Sequence, residues 1–137
     1  VAEPKRHARG LLDTSVVIDL HLLDSASLPT EPAISAVTLA ELTSGPLAAK
    51  TPDERARRQE RLQRTEATFD PLPFDLNAAR AYARVYAHDR AAGRKARGAR
   101  ALDLLIAATA LASGLPLYTR NPKDFAAIDK LVDIVAV

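Results

Sequence analysis

The chain has 137 residues, 47% of them hydrophobic and 26% charged, a net charge of +2 and no cysteine. That length suits one domain with one core, spanning residues 1–137, and the balance is globular rather than disordered. Without cysteine, disulfides and thiolate-held zinc are excluded; with no signal-peptide core and no apolar run long enough to cross a bilayer, the chain is expected to be soluble, unexported and cytoplasmic. There is no methionine either, so the first residue is expected to have been processed, read from an alternative start or omitted.

In chain order, Gly10-Leu11-Leu12 reads as a short buried strand that ends on the capping sequence Asp13-Thr14-Ser15, followed by an apolar helix over Val16 to Leu23. Pro32 to Val37 is a second apolar run. Thr38-Leu39-Ala40-Glu41 then has the spacing of a capping box, which predicts that a helix opens there and ends or kinks at Gly45-Pro46. Thr51-Pro52-Asp53-Glu54 starts a charged, mostly exposed helix through Arg64. Ala67 to Phe74, interrupted by Pro71 and Pro73, predicts an edge strand, and Asp75 caps a long helix to about Ala92. Ala101 to Ala112 is almost wholly apolar and predicts a buried helix stopped by Gly114; Leu115 to Thr119 reads as a strand, Asn121 to Asp124 as a helix start, and Leu131 to Val137 as a last strand. Strands alternating with helices predict an α/β fold with a parallel sheet covered on both faces and joined by right-handed crossovers.

In such sheets ligands gather at the carboxyl ends of the strands, and this rule sorts the acids. Asp13 follows the first strand, Glu41 lies in the first turn after the second, and Asn121 and Asp124 follow the strand ending at Thr119. Asp103 starts the apolar helix and is the only charge between Ala101 and Ala112, a costly burial that needs compensation. Other acids lose on position: Asp53, Glu54 and Asp75 cap outlying helices, and Asp19, Asp24, Asp129 and Asp133 follow no strand end. Carboxylates brought together repel unless a cation neutralises them, and ligation by oxygen alone favours magnesium, or manganese, over zinc. Each acid also has a structural reason to be present: Asp13 and Asn121 as caps, Glu41 in its capping box, Asp103 and Asp124 in first helical turns. From Arg90 to Arg100 there are five basic residues, Arg90, Arg94, Lys95, Arg97 and Arg100, and no acid, a patch suited to a phosphate backbone or to ordinary solubility.

Four blocks taken in order, Leu11-Leu12-Asp13-Thr14-Ser15-Val16, Thr38-Leu39-Ala40-Glu41-Leu42, Asp103 through Ala110, and Thr119-Arg120-Asn121-Pro122-Lys123-Asp124-Phe125, resemble the PIN-domain family, and within it the VapC toxins of toxin–antitoxin pairs. The resemblance covers Leu11 to Val137. It implies a three-layer α/β/α sandwich with a central parallel sheet, and a magnesium-dependent endoribonuclease, usually a homodimer, held inactive by a VapB antitoxin. By that likeness Asp13, Glu41 and Asp103 match the family's metal-binding acids, with the fourth position divided between Asn121 and Asp124. Thr14, Ser15 and Thr119 resemble the hydroxyl residues that line such a site, and Arg94, Lys95, Arg97, Arg100 and Arg120 are expected to hold RNA. Few aromatics argue against reading bases mainly by stacking.

Two other readings stand beside this one. Aspartyl-phosphate chemistry also uses an Asp after strand one, but Asp13-Thr14-Ser15 lacks the second acid two residues on. A PIN-like module that binds RNA or a partner without cutting is kept open by Asn121 in place of an acid. The early helices, Val16 to Leu23 among them, suit either core packing or an antitoxin or dimer surface.

Overall fold

Leu11 and Leu12, neighbours in sequence, are both fully buried but belong to separate hydrophobic clusters, because successive side chains of a strand leave opposite faces of a sheet. They lie in β1 (Arg9–Leu12) of a computed structural model that describes residues 7–94 and 97–137. Lys95 therefore falls outside the described residues. β1 pairs in parallel with β2 (Glu31–Ile34) on one side and β3 (Leu117–Thr119) on the other, and β3 pairs in parallel with β4 (Ile134–Ala136). The sheet order is β2-β1-β3-β4. Gly10 of β1 leaves room for the Tyr118 ring, since a Cβ there would stand 2.5 Å from Tyr118 Cε1.

One face of the sheet is covered by α4 (Leu76–Ala91), α5 (Ala99–Ser113) and a 3₁₀ stretch (Pro122–Ile128). Leu11 and Leu117 pack there with Val85, Leu104, Ile106 and Phe125. The other face carries α1 (Thr14–Ile18), α2 (Ala36–Ala48) and α3 (Pro52–Thr68), where Leu12, Ile34 and Tyr118 meet Val16, Val17 and Leu42, with Leu62 and Phe69 against them. This is the expected three-layer α/β/α sandwich. Each fully buried Leu or Phe in these layers contributes about 1.5–3 kcal/mol of hydrophobic stabilisation.

Several local expectations are corrected. The cap of α2 is Ser35, whose Oγ accepts from Val37 N at 2.9 Å, because the chain leaves β2 at Ile34. Thr38 is therefore already inside the helix and buried, and Glu41 lies in the second turn instead of closing a capping box with it. Gly45-Pro46 does not end the helix: α2 continues to Ala48, and Arg58 and Arg55 of α3 donate to the carbonyls of Gly45 and Pro46 at 2.8 and 3.1 Å.

The helix after Asp13 is short, since Val16, Val17 and Ile18 are β-branched and resist helix; a 3₁₀ turn over Leu20–Leu22 follows. Ala67 to Phe74 yields a longer α3 and a single parallel bridge between Leu72 and Ser35, because Pro71 and Pro73 cannot donate to a ladder. Asn121 precedes a 3₁₀ stretch and its side chain caps nothing. Gly98 flanks α5, which begins at Ala99, so Asp103 lies more than one turn inside the helix rather than at its start.

Candidate active site

β1 has β2 on one side and β3 on the other, so the connections leaving β1 and β3 part in opposite directions and open a crevice at their carboxyl ends. Asp13 and Thr119 stand at that crevice. Asp13 is buried, caps α1 by accepting from Val16 N at 3.1 Å, and accepts from Ser15 Oγ at 2.5 Å. The buried Thr119 hydroxyl also bonds to Asp13. Both hydroxyls are held from the far side of the crevice: Arg120 N donates to Ser15 Oγ at 3.1 Å, and Asn121 N to Thr119 Oγ1 at 3.0 Å. Backbone N–H groups of the turn after β3 thus polarise two hydroxyls toward one carboxylate.

Glu41 approaches from α2. Thr14 Oγ1 donates to Glu41 Oε1 at 2.7 Å and stands 3.1 Å from Thr38 Oγ1. Asp103 comes from α5 and is half-buried.

Electrostatics ties these acids together. Burial pushes the Asp103 carboxyl up from 3.8 to about 6; the negative charges of Asp13, Asp124 and Glu41 push the same way, and Arg100 opposes them. Burial also raises Asp13, against the hydrogen bonds from Ser15, Thr119 and the backbone. Glu41 is raised by burial and by Asp13, against the Thr14 hydroxyl. The site is therefore an anionic cluster, half-desolvated and short of positive charge. Among the described residues no three His, Asp or Glu side chains close around a single point as they stand. The donor set nonetheless fits a hard divalent cation, since every group is an oxygen and each carboxylate is destabilised in its charged form.

Asp124 is exposed, and its charge reaches Asp103; Asn121 is exposed and contributes a backbone N–H to the network. The basic residues expected to hold RNA are mostly engaged elsewhere. Arg100 pairs with Asp89 of α4 and donates to the Asp124 carbonyl, and Arg94 donates to that same carbonyl at 2.8 Å. Arg120 faces Asp19 at 3.7 Å. Arg97 is exposed.

Asp89 was not singled out from sequence. It is 1% exposed, and through Arg100 it fastens the end of α4, the first turn of α5 and the Asp124 segment one turn ahead of Asp103. Periodicity carries the signal: Ala78, Val85 and Asp89 fall on one buried face of α4.

Parallel α/β topology with carboxylates and hydroxyls at the switch point defines a class of protein suited to oxygen-ligated cations and phosphate esters. The sequence profile of the family described as PIN domain matches residues 10–131, and the chain belongs to that family. It is 45% identical to Ribonuclease VapC5 of Mycobacterium tuberculosis over 125 residues, 89% of each chain. It is 34% identical to VapC ribonuclease Y4jK of Sinorhizobium fredii, covering 92% of this chain and 81% of that one. In structure it is similar to a chain of the M. tuberculosis toxin–antitoxin complex VapBC-5, with a TM-score of 0.83, 45% identity and coverage of 95% and 99%.

Proposed function

We propose that the chain is the toxin of a toxin–antitoxin pair, a magnesium-dependent endoribonuclease that hydrolyses RNA phosphodiester bonds and is neutralised by a VapB-like antitoxin. The relatives named as ribonucleases, at 45% and 34% identity over most of the chain, support the activity, and the likeness to a VapBC complex supports the partner. We take residues 1–137 as one domain that works in the cytoplasm and pairs with a second copy of itself. No described helix is long and apolar enough to cross a membrane.

The observation that carries the magnesium reading is the Asp103 carboxyl, held up to about 6 by burial and by Asp13, Asp124 and Glu41. Asp13, Glu41 and Asp103 would hold the ion, with Asp124 or Asn121 as the fourth contributor; manganese suits the same oxygens. When bound, magnesium supplies a Lewis acid that activates water and neutralises charge developing on the phosphodiester. Ser15 and Thr119 favour the ionised form of Asp13 by donating to it, and Thr14 does the same for Glu41. The Asp89–Arg100 pair fixes the start of α5, and with it the bearing of Asp103.

Purified chain without antitoxin should cut RNA in magnesium and stop on addition of EDTA. Cutting that persists in EDTA would remove the metal from the account, and metal binding with no turnover would favour the binding-only module.

A further inference from the structure

A cleft of about 470 Å³ lies between α1, α2 and α3, lined by Thr14 and Glu41 of the acidic site, by the Glu54–Arg58 pair, and by Arg57 and Arg61. Ile18 and Arg61 also line the adjoining cleft, which continues along α3 past Arg64. The two clefts meet at Ile18 and Arg61 and together flank α3 from Glu54 to Thr68, with Glu41 in the first of them.

α3 carries five arginines, and they divide by what they do. Arg55 and Arg58 brace α2 through the carbonyls of Pro46 and Gly45, and Arg58 also neutralises Glu54. The side chains of Arg57, Arg61 and Arg64 make no hydrogen bond or ion pair with any described residue. Positions 57, 61 and 64 fall within an arc of roughly 60° on the helix, spaced by about 6 and about 4.5 Å along its axis. Three guanidinium groups without a described partner thus line the two clefts, Arg57 and Arg61 in the one that holds Glu41, and Arg61 and Arg64 in its neighbour. By contrast, Arg94, Arg100 and Arg120 are occupied within the protein.

We propose that these joined clefts are the entry track for single-stranded RNA, with Arg57, Arg61 and Arg64 binding successive phosphates and delivering the strand to the acids at Glu41 and Asp13. Charge favours a polyanion: three cations without partners repel one another unless an anionic strand runs past them. Thr14 and Glu41, which line the first cleft and bond to each other, join the track to the site. The inference rests on the ribonuclease reading, and its test separates the two.

The test measures affinity for a fluorescent single-stranded oligoribonucleotide in EDTA as a function of salt, for the full chain and for the double variant Arg57→Gln/Arg61→Gln. Each phosphate contact on a single strand contributes about 0.7 to the slope of log K against log salt, so the variant should lose about 1.4. In magnesium its KM for RNA should rise roughly tenfold or more with kcat little changed, as for lost uniform binding. Arg57→Lys/Arg61→Lys, which keeps the charge, should restore the slope. The track is wrong if Arg57→Gln/Arg61→Gln leaves slope and KM unchanged while the wild type still cuts RNA, or if the slope falls instead in Arg97→Gln. It is also wrong if the double variant loses only affinity for a protein antitoxin. Absence of both RNA binding and cutting by the wild type would overturn the ribonuclease reading along with it.

Discussion

The Ser15 hydroxyl stands 2.5 Å from Asp13 Oδ1 and donates to it, while Ser15 Oγ itself accepts from Arg120 N at 3.1 Å. A residue on α1 thereby carries the polarity of the turn after β3 onto the carboxylate that ends β1. Ser15→Ala removes the donor and leaves Arg120 N to solvent. The expected cost is about 1 kcal/mol of stability, read by denaturant unfolding, and about 10–100-fold in magnesium affinity or cleavage rate. Unchanged cleavage would show that Asp13 needs no such support.

Thr14 and Glu41 form the matching pair on the α2 side, at 2.7 Å. Thr14→Val keeps the shape and deletes the hydroxyl, so the Glu41 carboxyl should rise further. Cleavage should fall about tenfold at neutral pH, with part of the loss recovered at higher magnesium. A loss that no magnesium concentration reduces would mean that Thr14 acts on the substrate instead.

Asp89 and Arg100 test the scaffold. Asp89→Ala leaves the Arg100 guanidinium, only 15% exposed, without its carboxylate, and breaking a buried pair in this way costs about 3–5 kcal/mol. Thermal unfolding should reveal the loss. In whatever fraction stays folded, magnesium affinity should weaken too, because Arg100 also holds the Asp124 carbonyl one turn ahead of Asp103.

The pH dependence has a definite sign. Folding raises the Asp103 carboxyl from 3.8 to about 6, and raises Asp13 and Glu41 as well, so the metal-free folded state binds protons more tightly than the unfolded chain. Stability from these groups is therefore greatest below about pH 4 and is lost as pH rises through 6. Magnesium bound to these carboxylates would oppose this loss. Melting curves should show a larger magnesium-induced rise in Tm at pH 7 than at pH 5, with Asp103→Asn flattening the difference, and cleavage should increase as pH climbs through about 6. An equal magnesium effect at both pH values would contradict the raised carboxyl.

Much of this was legible in the sequence because strand ends are marked by local chemistry. Asp13-Thr14-Ser15 after Leu11-Leu12 and Thr119 before Asn121 announce both a cap and a crevice, and strand–helix alternation announces the layers. What failed was exact placement. Thr38-x-x-Glu41 mimics a capping box, but the true cap three residues earlier is Ser35, whose role depends on where β2 ends. Placing Asp103 at the helix start followed from reading the helix as opening at Ala101, whereas α5 begins at Ala99.

How free each basic residue is was not legible for a different reason. Whether an arginine is available depends on tertiary partners, and only the fold reveals that Arg94 and Arg100 spend their donors on Asp124 while Arg57, Arg61 and Arg64 spend theirs on nothing among the described residues. Local sequence carries no record of such pairings.

The central claim, that Asp13, Glu41 and Asp103 form a site for a hard divalent cation, is tested most directly by titrating the antitoxin-free protein with manganese and reading bound ion by electron paramagnetic resonance. The account predicts saturable binding that magnesium displaces, weakened at least about 100-fold in Asp103→Asn although circular dichroism shows the same fold. Wild-type binding that Asp103→Asn and Asp13→Asn both leave intact would contradict it.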